Sequence, residues 1–273
     1  EIFRRLGQPG LIGELLAGVL IGPQVFGFVE PGESLRVLSE LGAVFLLFWV
    51  GLETRIGDLR TVGRPALSAG VLGVLFPFAG GLGLAFALGH GSAESVFVGA
   101  ALVATSVGIT SAVLIHLDLI DTPASRTILG AAIVDDILAM ICLAFAAGIS
   151  EGSVDFTELA VTMVLAMAFV GFAAVGGTRA MRARPEVLQR PTFPDSALMI
   201  AVIGCLGLAA FASAIGLAAI IGAFLAGLIV SETTDFYPVE REIKPLYSFF
   251  APFFFAVIGM DLDLEALGTP HAL

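Results

Sequence analysis

The sequence predicts an all-α protein that crosses a lipid bilayer many times, on three observations. Hydrophobic residues make up 58% of the chain and charged residues only 14%, where soluble domains carry about 25% charged residues. The mean hydropathy is +1.00, and the apolar residues come in long runs broken by charge, proline and glycine. The cations fall almost wholly at alternate breaks between those runs. A large soluble core would need polar faces between its apolar runs, and these are nearly absent. A net charge of −11 and the lack of a basic patch also argue against a nucleic-acid partner.

The apolar runs, in order, cover 9–28, 37–52, 64–88, 94–116, 126–148, 157–180, 195–213, 216–231 and 246–260, each closed by charged or Pro/Gly-marked breaks. The stretch 195–231 contains no charge and invites reading as one helix. Such a helix would be about 55 Å long at 1.5 Å per residue, against a hydrocarbon core of about 30 Å. Two spans meeting near Ser213-Ala-Ile-Gly216 fit better. Cys142 and Cys205 lie inside apolar runs and read as small core residues, not as a disulfide. The first residue is Glu1 and no signal-peptide pattern follows, so the chain reads as a piece of something longer.

Loop charge tests the division independently. Arg4, Arg5, Arg55, Arg60, Arg64, Arg126, Arg179, Arg182, Arg184, Arg190, Arg241 and Lys244 fall on one side, and Arg36 alone on the other. The positive-inside rule makes the first side cytoplasmic, with the start of the chain inside and Leu273 outside. Merging the seventh and eighth runs would put Arg241 and Lys244 on the wrong face.

An internal repeat follows from the text. Ile12-Gly-Glu-Leu-Leu-Ala-Gly-Val-Leu-Ile21 aligns with Ile221-Gly-Ala-Phe-Leu-Ala-Gly-Leu-Ile-Val230 at an offset of 209, with five identities in ten. Ala43-Val-Phe-Leu-Leu-Phe-Trp-Val-Gly-Leu-Glu53 aligns with Ala251-Pro-Phe-Phe-Phe-Ala-Val-Ile-Gly-Met-Asp261 at an offset of 208. The first run matches the eighth, an odd number of crossings away, so the two units should be inverted in the membrane. The partners of the third to fifth runs are then expected beyond Leu273.

Chemistry centres on Gly130-Ala-Ala-Ile-Val-Asp135-Asp136. Two adjacent carboxylates sit near the middle of a run long enough to span a bilayer. A charged Asp at that depth costs at least ~2.5–3.5 kcal/mol. The plain alternative is a neutralised pair that fixes helix packing. The preceding run carries Val103-Ala-Thr105-Ser106-Val-Gly108-Ile-Thr110-Ser111, four hydroxyls and a glycine in mid-crossing. Hydroxyls bond backbone locally and glycine eases departure from helix, so a broken helix is expected. Its freed oxygens would suit a small hard cation; close packing of small residues is the other explanation. On a helix the two aspartates point about 100° apart and cannot clasp one ion symmetrically. One would exchange a cation for a proton while the other holds a protein partner. Exclusive occupancy joined to alternating access is antiport.

The chain resembles the monovalent cation:proton antiporter-2 family of bacterial sodium/proton antiporters and Kef-type potassium systems. The matching text is Gly13-Glu-Leu-Leu-Ala-Gly-Val-Leu-Ile-Gly-Pro23, Glu40 to Glu53, Ala104 to Thr110, Gly130 to Asp136 and Gly222-Ala-Phe-Leu-Ala-Gly227, in order over nearly the whole chain. The resemblance implies an inverted-repeat, sodium/proton antiporter-like fold with broken helices, nine of about thirteen spans being present. It implies a homodimer in a bacterial cytoplasmic (inner) membrane. Residues 1–60 and 194–273 would form the dimerisation domain, 61–150 the moving core, and 151–193 a linker helix with its cytoplasmic loop. The transported cation would sit on Asp136, beside Asp135, with Thr105 and Ser106 nearby. Na⁺ is the expected cation, with Li⁺ or K⁺ as alternatives, and H⁺ the counter-ion. In several sodium/proton members a late-helix lysine pairs with the first Asp. That position falls beyond Leu273, and Lys244 is expected in a loop. No cofactor and no enzymatic activity are implied.

Glu14 and Thr110 are further candidates for an ion pathway, Glu14 being equally readable as a helix-end carboxylate. Glu53 and Asp261 end their runs at matching positions and read as boundary markers. His90, His116 and His271 read as surface histidines near span ends, and Gly80, Gly81 and Gly83 as helix-packing glycines. Arg179, Arg182 and Arg184 read as a topology anchor, and the acidic loops 151–158 and 261–265 as solvated. An intramembrane aspartyl protease also uses two carboxylates, but from separate facing helices, which adjacent residues on one helix cannot supply. A channel or sensor subunit without proton coupling is the third class.

Overall fold

The computed structural model describes residues 3, 10–54, 63–150, 156–183, 196–232 and 239–263. The loop cations Arg4, Arg5, Arg55, Arg60, Arg184 and Arg190, the acidic positions Glu151, Asp155 and Glu265, and His271 lie outside the described residues. Among the described residues the regular structure is entirely helical.

Helix α1 (Gly10–Ile21) has 12 residues and stops well short of the run's end at 28. Pro23 disfavours helical geometry at Gly22, and Gly27 then turns the chain at a φ of +62°. Helix α2 (Glu33–Glu53) has 21 residues, and α3 (Gly63–Ala87) has 25 with Pro77 inside it. The fourth run divides into α4 (Ser92–Val103) and α5 (Val107–His116), separated by Ala104, Thr105 and Ser106. Helix α6 (Pro123–Ser150) has 28 residues. The sixth run is α7 (Phe156–Gly171), a π-helical turn (Phe172–Gly177) and α8 (Thr178–Ala183). As expected, the uncharged stretch holds two helices, α9 (Ser196–Ala214) and α10 (Ala219–Ser231), with Gly216 between them at a φ of +84°. Helix α11 runs Val239–Met260, so Arg241 and Lys244 stand on its first turns and not in a loop. Among the described residues, six segments are long and apolar enough to cross a membrane, and α1 and α10 are shorter apolar helices. The protein is a multi-span membrane protein.

Helix α2 is the centre of the packing, lying against α10 and α11, with α1 on α11 and α9 on α10. Its middle is sealed: Leu46, Phe48 and Val50 are each 0% exposed. A second group joins α3 to α4 and α6, and α5 touches α1, α2 and α6. The first group is held by glycines with no room for a side chain. A Cβ on Gly18 would lie 2.0 Å from the Ala256 carbonyl oxygen, and one on Gly259 2.1 Å from that of Leu15. Across α2 and α10, a Cβ on Gly227 would lie 2.2 Å from the Phe48 oxygen, and one on Gly51 2.2 Å from that of Phe224. These two crossings use positions related by the sequence offsets: Gly18 with Gly227, Leu15 with Phe224, Gly51 with Gly259, and Phe48 with Ala256. Of the three glycines on α3 read as packing residues, only Gly81 meets a neighbouring helix, at Gly99; Gly80 and Gly83 face open space.

Polar contacts at the helix ends sort them onto two faces. On one, Arg36 at the start of α2 pairs with Asp261 after α11, at 3.2 and 3.0 Å. On the other, the Ser231 hydroxyl donates to the Thr54 carbonyl at 2.9 Å, and Arg182 pairs with Glu232. We call these the Arg36 face and the Arg182 face.

Candidate functional site

Asp135 and Asp136 sit near the midpoint of α6. Close contact with α3 fixes that helix: a Cβ on Gly70 would meet the Ala131 oxygen and the Val134 side chain at 2.8 Å each, and one on Gly130 would meet Ala66. Asp135 is buried, at 6% exposure, and one of its oxygens accepts a hydrogen bond from the Thr105 hydroxyl. The other, Oδ1, is buried with no partner among the described residues. An unpaired buried acceptor costs about 1–3 kcal/mol, and a proton or a cation there would offset it.

Asp136 takes the other direction. It lines a cavity of about 10 Å³, walled by apolar side chains that include Leu47 of α2, Val107 of α5, Ile133 of α6, and Ile220 and Phe224 of α10. That is room for about one water-sized particle. The two carboxylates therefore have separate environments, Asp135 held by the broken span and Asp136 turned toward the other helix group.

The break falls at Ala104–Ser106, earlier than the centre of the hydroxyl cluster. Its hydroxyls divide their work. Thr105 reaches Asp135, whereas Ser106 caps α5 by accepting from the Ile109 amide at 3.2 Å. Ser106 thus serves the helix end, and no hydrogen bond joins it to either aspartate among the described residues. Thr110 is half-buried within α5 and does not line the Asp136 cavity. Gly108 lies inside the helix, where a Cβ would strike the Phe254 ring at 2.9 Å. It permits the approach of α11, not the break. Ser111, counted among the four hydroxyls but not among the candidate site residues, is 0% exposed, and its hydroxyl has no partner among the described residues.

Glu14 stands apart from the aspartates. It lines an open cavity of about 710 Å³ on the Arg182 face, between α1, the end of α5 and the first half of α11. His116, Tyr247 and Ser248 line the same cavity, so His116 faces a cavity shared with three other polar side chains.

The sequence matches the family described as sodium/hydrogen exchanger, transmembrane, over residues 2–273. The chain belongs to this family. Among exchanger relatives, the Na(+)/H(+)-K(+) antiporter GerN of Bacillus cereus is 38% identical over 97% of this chain and 68% of its own length. A Na(+)/H(+) antiporter of Enterococcus hirae is 35% identical over 97% of this chain and 70% of its own. The glutathione-regulated potassium-efflux system protein of Haemophilus influenzae is 30% identical over 97% of this chain and 43% of its own. The exchanger family thus joins sodium- and potassium-named members on one sequence pattern.

Proposed function

We propose that this exchanger carries Na⁺ one way across the membrane and H⁺ the other, using Asp136 as the site where the two compete. The observation that carries this reading is the split between the carboxylates: Asp135 is engaged by Thr105, while Asp136 faces a cavity between the two helix groups. A neutral carboxyl and a carboxylate with a bound cation have the same net charge, so either loaded form crosses the low-dielectric layer at modest cost. The empty carboxylate does not. On each face Asp136 releases one ion to water before taking the other, which couples the two fluxes.

Thr105 orients the pair, and Ser106 acts at one remove by capping α5. Glu14 and Thr110 belong to the aqueous pathway. The moving core is 61–150, the dimerisation domain is 1–60 with 194–273, and 151–193 links them. The assembly is a homodimer in a bacterial cytoplasmic membrane with the Arg182 face inward. Full-length protein in acidified vesicles should dequench a proton-gradient dye on addition of Na⁺, and Asp136→Asn should abolish the response. A normal response from that variant would overturn the site. The potassium-efflux relative favours K⁺ as the second reading; comparing Na⁺, Li⁺ and K⁺ in the same assay decides between them.

A further inference from the structure

We infer that Glu40 collects cations on the Arg36 face, as Glu14 does on the Arg182 face, and that Ile220 closes the path between Glu40 and Asp136. The inference rests on the Asp136 reading above. Its basis is a second cavity, of about 430 Å³, lined by Glu40 and Ala43 of α2, Ala210 and Ser213 of α9, and Ala219 and Ile220 of α10. Ile220 also walls the Asp136 cavity. Ile220 thus borders both this groove and the cavity of the half-buried Asp136.

The Glu14 cavity and the Glu40 groove are built from repeat-related positions. With the sequence offsets of 209 and 208, Ala219 and Ile220 correspond to Gly10 and Leu11, and Glu40, Ala43 and Val44 correspond to Ser248, Ala251 and Pro252. The first members of these pairs line the groove on the Arg36 face. The second members line the cavity on the Arg182 face. The glycine crossings obey the same correspondence, so the relation extends from helix contacts to cavity walls.

The carboxylate, however, changes helix. The counterpart of Glu14 is Ala223, 0% exposed inside the α10 packing, where no charge fits. The counterpart of Ser248 is Glu40, which is exposed in the groove. Each cavity thus has one carboxylate among its described lining residues, supplied by a different member of the repeat. Arg36, one turn from Glu40, is engaged by Asp261 and the Pro31 carbonyl, so the local balance stays negative and favours a hydrated monovalent cation.

The test uses full-length protein in vesicles of known orientation, with half-saturating Na⁺ measured separately from each face. Glu40→Gln should raise that concentration about three- to tenfold from the Arg36 face, the effect of about one screened charge, and less than twofold from the Arg182 face. The saturating rate should fall less than twofold. Glu14→Gln should show the mirror pattern. Ile220→Cys, with Cys142→Ala and Cys205→Ala, should react with a membrane-impermeant thiol reagent from the Arg36 face alone. Equal or absent effects of Glu40→Gln on the two faces would overturn the proposal. Failure of Ile220→Cys to react, as in a groove filled by lipid or by a second copy of the chain, would overturn it too. Asp136→Asn separates the two readings: exchange retained in that variant rejects Asp136 as the site, whereas loss of exchange with no sided effect of Glu40→Gln rejects only the vestibule.

Discussion

The helices around α2 and those around α6 are packed on opposite terms. Around α2 the contacts are dry and backbone-close, with glycines on α1, α2, α10 and α11 set against carbonyl oxygens. Around α6 the contacts keep polar atoms: the buried Asp135 carboxylate, the Thr105 hydroxyl that bonds to it from the exposed break, and on neighbouring α5 the buried Ser111 hydroxyl. Ala104, Thr105 and Ser106 are exposed on the surface of the described chain. The first packing is built from shape, and the second keeps polar groups with unused hydrogen-bonding capacity.

The largest effect should come from filling a scaffold crossing. Gly51→Leu or Gly227→Leu places carbon about 2 Å from a carbonyl oxygen. Overpacking costs about 1–3 kcal/mol or more, and forced separation of whole helices belongs at the upper end. Detergent-solubilised protein should lose most of its monodisperse peak. Gly73→Leu on α3, where a Cβ meets nothing within 4 Å, should leave that peak intact. Equal behaviour of the two would erase the contrast between the regions.

Next in size is Thr105→Val, which keeps the shape and removes the donor to Asp135. Leaving a buried carboxylate unpaired costs about 1–3 kcal/mol, so half-saturating Na⁺ should shift roughly five- to hundredfold, and Thr105→Ser should restore most of it. Thermal stability should fall by only the few degrees that such a cost represents, far less than for the filled glycine crossings. A large melting shift with unchanged transport would instead place Thr105 in the scaffold. The smallest effect should come from Arg36→Ala. Its pair with Asp261 is half-exposed on both sides, and such pairs contribute about 0–1 kcal/mol. A melting shift of a few degrees at most is the expected outcome.

The legible parts of this contrast are local ones. Four hydroxyls within seven positions announce the break in the fourth run, and adjacent aspartates in mid-run mark the candidate site. Gly216 announces the division between α9 and α10. Gly108 misleads, since a glycine that loosens a helix and one that admits the Phe254 ring look identical in one dimension. The start of α11 is missed because Arg241 and Lys244 read as loop charges, although the first turn of a helix can carry them into the headgroup region. Glu40 passes as part of a family pattern until the cavity beside it and its counterpart Ser248 are both in view. Pairings such as Arg182 with Glu232, 50 residues apart, have no signature short of the fold.

The π-helical turn at Phe172–Gly177 carries a mechanical consequence for that last pairing. Such a turn holds one residue more than the helix on either side of it, and each residue advances a helix by about 100°. Deleting a residue from the α-helical stretch between that turn and Arg182 would swing Arg182 about a quarter of the way round the axis and away from Glu232. Losing the turn's own extra residue would instead return it to α geometry and hold that phase. The segment that carries Arg182 is thus phased like a key cut to one notch. Its angular setting, more than its length, decides whether the lock engages.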